Sequence, residues 1–283
     1  MLSRRLFLLS SALLPTAFTE VERMARRQKF FIGACDWSLG KAASPKAFEV
    51  AKQIGLDGVQ VSYNSQKDET WLANPANIQK IKEASERTGV KIASLAIGEL
   101  NRVPYKSEPR TEAWVSNAID AAKALKVKVI LLAFFSKNDL RNDDAGKQIV
   151  IERLKKVAPK AEKFGITLAI ESYLSAQEHI DIINSVGSKA VKVYYDFCNA
   201  TDAGYDIYQE IPLLGKDLIC EIHMKENGFL LGKGSLDWQK IQAALHDIGY
   251  KGWMQIEGAT PPKANILESY RQNLQFLKEV FAD

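Results

Sequence analysis

Three carboxylates and one imidazole recur at the ends of short apolar runs in the second half of this chain. They are Glu171 in "ITLAIES", Asp196 in "VKVYYD", His223 in "LICEIH" and Glu257 in "WMQIE", spaced 25, 27 and 34 residues apart. Three acids brought together repel one another unless a counter-charge sits between them, and a divalent cation supplies it. A mostly oxygen donor set with a single histidine and no cysteine favours manganese, magnesium or cobalt, with zinc the remaining option. The chemistry of such a site is proton transfer at carbon. A hydrogen beside a carbonyl is weakly acidic, and a cation that polarises the neighbouring oxygens stabilises the developing enediolate. One glutamate can then remove that proton and the other return it, on the opposite face or to the next carbon. Where the next carbon carries a leaving group, the same step ends in β-elimination.

The spacing of these residues matches one strand plus one crossover helix each time. Eight β-rich runs are legible from residue 29 onward, at 30–37, 58–63, 91–97, 128–135, 166–172, 191–196, 218–223 and 253–257. Between them lie amphipathic stretches such as "SPKAFEVAKQIGLDG", "NPANIQKIKEASERTGVK" and "TEAWVSNAIDAAKALKVK", with Ser or Asn near the start and Gly near several ends. Each connection is long enough to return a parallel strand, and eight such units predict a single-domain α/β (β/α)8 TIM barrel over 29–283. An open doubly wound sheet fits less well, because no glycine-rich phosphate fingerprint follows the first run. Catalytic residues of a barrel sit at the C-terminal strand ends. Alternation along the strands supports the assignment. If Ile166, Leu168 and Ile170 face the helices, then Thr167, Ala169 and Glu171 face inward. The same phase turns Asp196, His223 and Glu257 inward, with Val193, Tyr195, Cys220, Ile222, Met254 and Ile256 outward. Glu171 and Glu257 lie on the outermost of the four strands and so approach a common centre from opposite sides.

With these four residues, "HMKEN" and "GKGSLDW" in place, residues 29–283 resemble the xylose-isomerase-like sugar-phosphate isomerase/epimerase superfamily of barrels. The resemblance implies that Glu171, Asp196, His223 and Glu257 bind one divalent metal, and that Glu171 and Glu257 are also the catalytic acid and base. Members with an epimerase site often carry a histidine three residues after the aspartate, where this chain has Asn199. Relatives include isomerases, dehydratases and lyases. The expected activity is a sugar isomerase or epimerase, with a lyase acting on a keto-sugar or keto-glycoside as the alternative.

Three further residues are candidate substrate contacts. Lys225, two residues beyond His223, is placed to put its ammonium near a developing oxyanion. Trp37 closes the first run on the inward phase, where its ring can stack on sugar C–H groups, and Asn199 follows Asp196. Glu221 and Gln255 share the inward phase one layer below His223 and Glu257, either as supports for the ligands or as an interior polar pair. His179 and His246 fall within helical patterns, away from the strand ends. "GKGSLDW" lies in the loop after the seventh strand, where barrels often bind phosphate; a turn at Gly232 and Gly234 with a helix cap at Ser235 or Asp237 is the simpler reading.

Charge and composition narrow the partners to a small carbohydrate. The formal charge of +4 comes largely from residues 1–28, which hold Arg4, Arg5, Arg23, Arg26 and Arg27 against Glu20 and Glu22; removing them leaves 33 cations and 32 anions. That balance excludes a nucleic-acid footprint, and three histidines are too few for the multi-metal cluster of a barrel endonuclease. A non-catalytic sugar-binding barrel has no need of two opposed acids. Cys35, Cys198 and Cys220 form neither a disulfide framework nor a zinc motif. "SRRLFLLSSALLPTAF" resembles a twin-arginine export signal, and its apolar stretch is too short to span a bilayer. Residues 1–28 are therefore expected to direct export to the periplasm. An exported enzyme is expected to meet an unphosphorylated sugar, keto-sugar or glycoside derivative.

Overall fold

Eight parallel strands close on themselves in sequence order: β1 (Phe31–Cys35), β2 (Gly58–Ser62), β3 (Lys91–Ile97), β4 (Val129–Phe134), β5 (Thr167–Ser172), β6 (Val191–Asp196), β7 (Ile219–Met224) and β8 (Trp253–Ile256). Closure runs through β1 and β8, with Phe31 opposite Trp253 and Ala34 opposite Ile256. The computed structural model describes residues 30–64, 67, 69 and 71–282. The expected export signal at 1–28 lies outside the described residues. Every strand falls within one residue of its expected place, except that β1 stops two residues early, at Cys35. Trp37 thus enters from the turn after β1 rather than from the strand.

The helices return the chain across the outside: α1 (Lys46–Ile54), α2 (Pro75–Thr88), α3 (Arg110–Leu125), α4 (Asp144–Phe164), α5 (Ala176–Val186), α6 (Phe197–Asp202), α7 (Ile207–Leu218, broken at Gly215), α8 (Trp238–Asp247) and α9 (Ile266–Val280). Their starts are set by side chains that accept orphan N–H groups. Asn74 caps α2, Asp237 caps α8 and Asn265 caps α9, while Ser175 and Glu178 form a reciprocal capping box on α5. The short α6 and the 3-10 turns at Gly98–Asn101 and Ser136–Asn138 have no periodic signal in the sequence.

Two apolar regions confirm the alternation. Leu168, Ile170, Val193, Tyr195, Ile222, Met254 and Ile256 belong to the large core between strands and helices, whereas Ala169 and Tyr194 belong to a small cluster inside the barrel. Cys220 departs from the expected phase. It packs against the interior cluster, because the β6–β7 register shifts between Val193 and Tyr194 and gives β7 an extra residue there. The interior is unevenly filled. β3, β4 and β5 contribute Ala96, Leu131, Ala133 and Ala169; β2, β7 and β8 contribute Gln60, Glu221, His223 and Gln255, all fully buried. Small side chains on one half leave a cleft above it, and polar ones on the other half support the strand ends.

Candidate active site

The four strand-end residues meet. His223 Nδ1 lies 2.8 Å from Glu171 Oε1, 3.6 Å from Glu257 Oε2 and 3.8 Å from Asp196 Oδ2. One donor atom from each of the four falls within 4.8 Å of the others. Asp196 and His223 sit opposite each other on β6 and β7, with Glu171 from β5 on one side and Glu257, just past β8, on the other. Asp196 Oδ1 caps α6 by accepting the Asn199 N–H at 2.8 Å, so the start of that helix fixes the side chain. Its Oδ2 is buried and accepts no hydrogen bond among the described residues, while the buried Glu257 Oε2 has the Lys225 ammonium beside it at 2.9 Å. Buried acceptors are seldom left in this state. The open Asp196 oxygen, aimed at one centre with an imidazole and two further carboxylates, fits a hard divalent cation.

Lys225, Trp37 and Asn199 all join the cluster. Lys225 Nζ lies 2.9 Å from Glu257 Oε2 and 3.6 Å from Asp196 Oδ2, and it donates to Asn199 Oδ1 at 3.3 Å. Asn199 Nδ2 donates in turn to Glu171 Oε1 at 3.4 Å. The Trp37 indole N–H donates to Glu257 Oε1 at 2.9 Å, and the side chain also lines the cleft. Burial raises Asp196 to about 7; Lys225 works against this, and Glu171 and Glu257 add to it. Burial also opposes the charge on Glu257, but His223, Lys225 and the Trp37 hydrogen bond outweigh it and hold this group at about 2. His223 is desolvated as well, yet the Glu171 and Glu257 carboxylates around it carry its pKa well above the usual imidazole value. Without a cation, imidazolium and ammonium together balance the acids.

Beneath the cluster runs a buried polar web that sequence reasoning reached only in part. Glu221 Oε1 accepts from Ser94 Oγ and from Gln255 Nε2, each at 2.8 Å, so Glu221 and Gln255 are indeed an interior pair. The web continues upward. Gln60 Nε2 donates to Ser94 Oγ at 3.0 Å and to the Tyr194 hydroxyl at 3.1 Å, and Gln60 Oε1 faces His223 Nε2 at 3.1 Å. Both register irregularities of the barrel serve this web. One falls between Val59 and Gln60 and sets Gln60 opposite Ser94; the other sets Tyr194 opposite Glu221. Cys35 Sγ lies 3.3 Å from both Gln60 Oε1 and His223 Nε2, and burial pushes this thiol up to about 12. It remains a neutral S–H beneath the imidazole.

The stretch after His223 has a different role from an anion loop. The Glu226 carboxylate is buried and accepts the backbone N–H of Gly232, the N–H of Leu236 at 3.1 Å and the indole N–H of Trp238 at 3.0 Å. Gly234 lies so close that an added Cβ would stand 2.5 Å from Glu226 Oε1. "GKGSLDW" thus folds around an internal carboxylate, and Asp237 caps α8. His179 and His246 stay away from the site as expected. His179 is buried between Ser172 and Ser175, and His246 is exposed.

A cleft of about 520 Å³ opens above Glu171, Glu257, Lys225, Asn199 and Trp37 and extends toward β3 and β4. Fold and site together define a (β/α)8 barrel with four side chains at its C-terminal mouth that could hold a metal ion. Residues 48–280 match the family model described as xylose isomerase-like TIM barrel, and the chain belongs to that family. Among curated relatives, it is 23% identical over 176 residues to the 2-epi-5-epi-valiolone 7-phosphate 2-epimerase of an Actinoplanes species, covering 62% of this chain and 64% of the relative. It is 30% identical over 123 residues to the D-psicose 3-epimerase of Enterocloster bolteae, covering 40% of each. The matches thus span less than two thirds of either relative. The crystal structure of a 3-keto-D-glucoside 4-epimerase from E. coli superposes with a TM-score of 0.74 at 18% identity, covering 89% of this chain and all of that one, a likeness of fold.

Proposed function

We propose that this protein is a metal-dependent sugar isomerase or epimerase that moves a proton at the carbon beside a carbonyl. The carrying observation is the placement of Glu171 and Glu257 on either side of the Asp196–His223 pair, at the floor of a cleft sized for a carbohydrate. The named relatives are sugar or cyclitol epimerases, which supports the same reading. Glu171, Asp196, His223 and Glu257 are the residues that would hold one divalent cation. Such an ion supplies positive charge next to the oxygens on which negative charge develops. The side chains do the rest. Trp37 holds Glu257 Oε1 and leaves Oε2 toward the centre. That carboxylate is ionised and can take the carbon-bound proton, while Glu171, braced by Asn199, faces the centre from the other side and delivers or accepts one there. Lys225 contributes a fixed ammonium beside the developing negative charge.

Two observations favour an unphosphorylated substrate. The loop after β7 directs the N–H groups of Gly232 and Leu236 at Glu226, and the N-terminal segment has the composition of an export signal. Export to the periplasm is part of this proposal. Asn199 stands where epimerase members often carry histidine, which keeps β-elimination from a keto-sugar as the second reading; product analysis separates the two.

The test is proton exchange. Metal-loaded protein incubated with keto-sugars in deuterated buffer should place deuterium on the carbon beside the carbonyl, and Glu171→Gln and Glu257→Gln should stop this after metal occupancy has been checked. Turnover without deuterium uptake and without a primary isotope effect, under conditions where chemistry limits the rate, would overturn the reading.

A further inference from the structure

The cleft extends beyond its catalytic floor, and its far wall is polar. β3 lies four strands from β7 around the ring, so the turn Gly98–Asn101 stands across the mouth from His223. That turn supplies Glu99, which lines the cleft but is only 9% exposed. The backbone N–H of Asn64 donates to its carboxylate. Oε2 is buried and receives no donor from the described residues. Burial raises the Glu99 pKa and Arg102, exposed at the rim, opposes the rise. Beside it, Phe135 lines the cleft and meets Tyr173 edge-on with ring centroids 4.8 Å apart, which fixes an apolar surface at that end.

A side chain that lines a binding cleft and holds a buried acceptor without a donor is matched by a ligand donor. The floor at Glu171 and Glu257 takes the reacting carbon, and a volume of about 520 Å³ is more than a single hexose ring fills. We propose that Glu99 accepts hydrogen bonds from hydroxyl groups of a second glycosyl unit attached to the reacting sugar, with Phe135 beneath its C–H face, so that the substrate class is a disaccharide or comparable glycoside. The inference rests on the carbohydrate reading above and extends it to the side of the cleft formed by the ends of β3 and β4.

Binding without turnover tests it. Metal-loaded protein is titrated by calorimetry with methyl α-glucoside and with the glucose disaccharides maltose, cellobiose and trehalose. At least one disaccharide should bind about tenfold more tightly than methyl α-glucoside. Glu99→Gln, nearly unchanged in volume, should remove most of that tenfold advantage and leave methyl α-glucoside affinity within twofold. Phe135→Ala provides a second variant that leaves the carboxylate in place and should also weaken only the disaccharide. Thermal melts confirm that both variants fold. Disaccharides that bind no better than methyl α-glucoside, absence of binding by all four sugars, or equal losses for both ligand types in both variants would overturn the proposal. Tighter binding of a glucosamine-containing disaccharide alone would do so as well, by making Glu99 a cation site. Because no proton transfer is read, a failed deuterium exchange leaves these outcomes interpretable.

Discussion

Gln60 Oε1 lies 3.1 Å from His223 Nε2. An amide oxygen only accepts, so in a neutral imidazole the proton resides on Nε2 and the lone pair is on Nδ1, which faces Glu171, Asp196 and Glu257. The amide's own orientation is set by its donations to Ser94 and Tyr194. A residue on β2 thereby decides which nitrogen on β7 is available as a ligand.

Removing that amide should weaken the metal site without emptying the fold. Gln60→Met, similar in length but unable to accept, is expected to lower divalent-cation affinity roughly 10- to 100-fold. Competition against a chelator measures this. His223→Ala should lose tight occupancy altogether, and unchanged tight binding in that variant would remove His223 from the ligand set.

Lys225 is expected to matter for rate more than for cation binding. Lys225→Met deletes the ammonium 2.9 Å from Glu257 Oε2, and a loss of about 10²- to 10³-fold in kcat is the magnitude for a preorganised charge of this kind. The measurement is steady-state kinetics at verified metal occupancy. A loss confined to KM would assign Lys225 to ground-state binding.

Glu226 predicts a stability effect without direct catalytic chemistry. Glu226→Ala leaves the N–H groups of Gly232, Leu236 and Trp238 without their acceptor, at a cost of about 2–4 kcal/mol. Urea unfolding reads this directly. A change below about 0.5 kcal/mol, the size of an ordinary surface substitution, would show that water replaces the carboxylate.

His179 should make the fold sensitive to acid. Burial lowers its pKa from 6.5 to about 4, while Ser172 and Ser175 hydrogen-bond the neutral ring. Below pH 6.5 the unfolded chain takes up a proton that the folded chain refuses until about pH 4. Its contribution is therefore fully present above pH 6.5 and declines toward pH 4, by roughly 3 kcal/mol at most. The stability difference between wild type and His179→Gln, followed by urea unfolding from pH 7 to 4.5, should shrink by that trend. A pH-independent difference would contradict it.

Export is expected to depend on Arg4 and Arg5. Replacing both by Lys and fractionating cells should retain the protein in the cytoplasm, and undiminished export would point to another route.

Strand positions, the inward phase and the four metal-ligand candidates were legible in the sequence because they depend on local alternation repeated at the spacing of one βα unit. Glu171, Asp196, His223 and Glu257 each carry that signal within six or seven residues of chain. The layer at Glu221 and Gln255 carries it as well. What lies between strands is not local. Gln60 meets His223 across 163 residues, and its partnership with Ser94 depends on a register shift that no single strand encodes. The same reason applies to Cys220, turned inward by the irregularity opposite β6. Trp37 was expected to offer its ring; that it also offers its N–H follows from β1 ending early, so that the turn brings the indole beside Glu257. Glu226 carries no local signal in the sequence; only the folded loop surrounds it with three donors. Sequence alternation thus determined which side chains point to the centre, and tertiary packing decided which of their atoms remain open to a ligand, since hydrogen-bond satisfaction is settled between residues far apart in the chain.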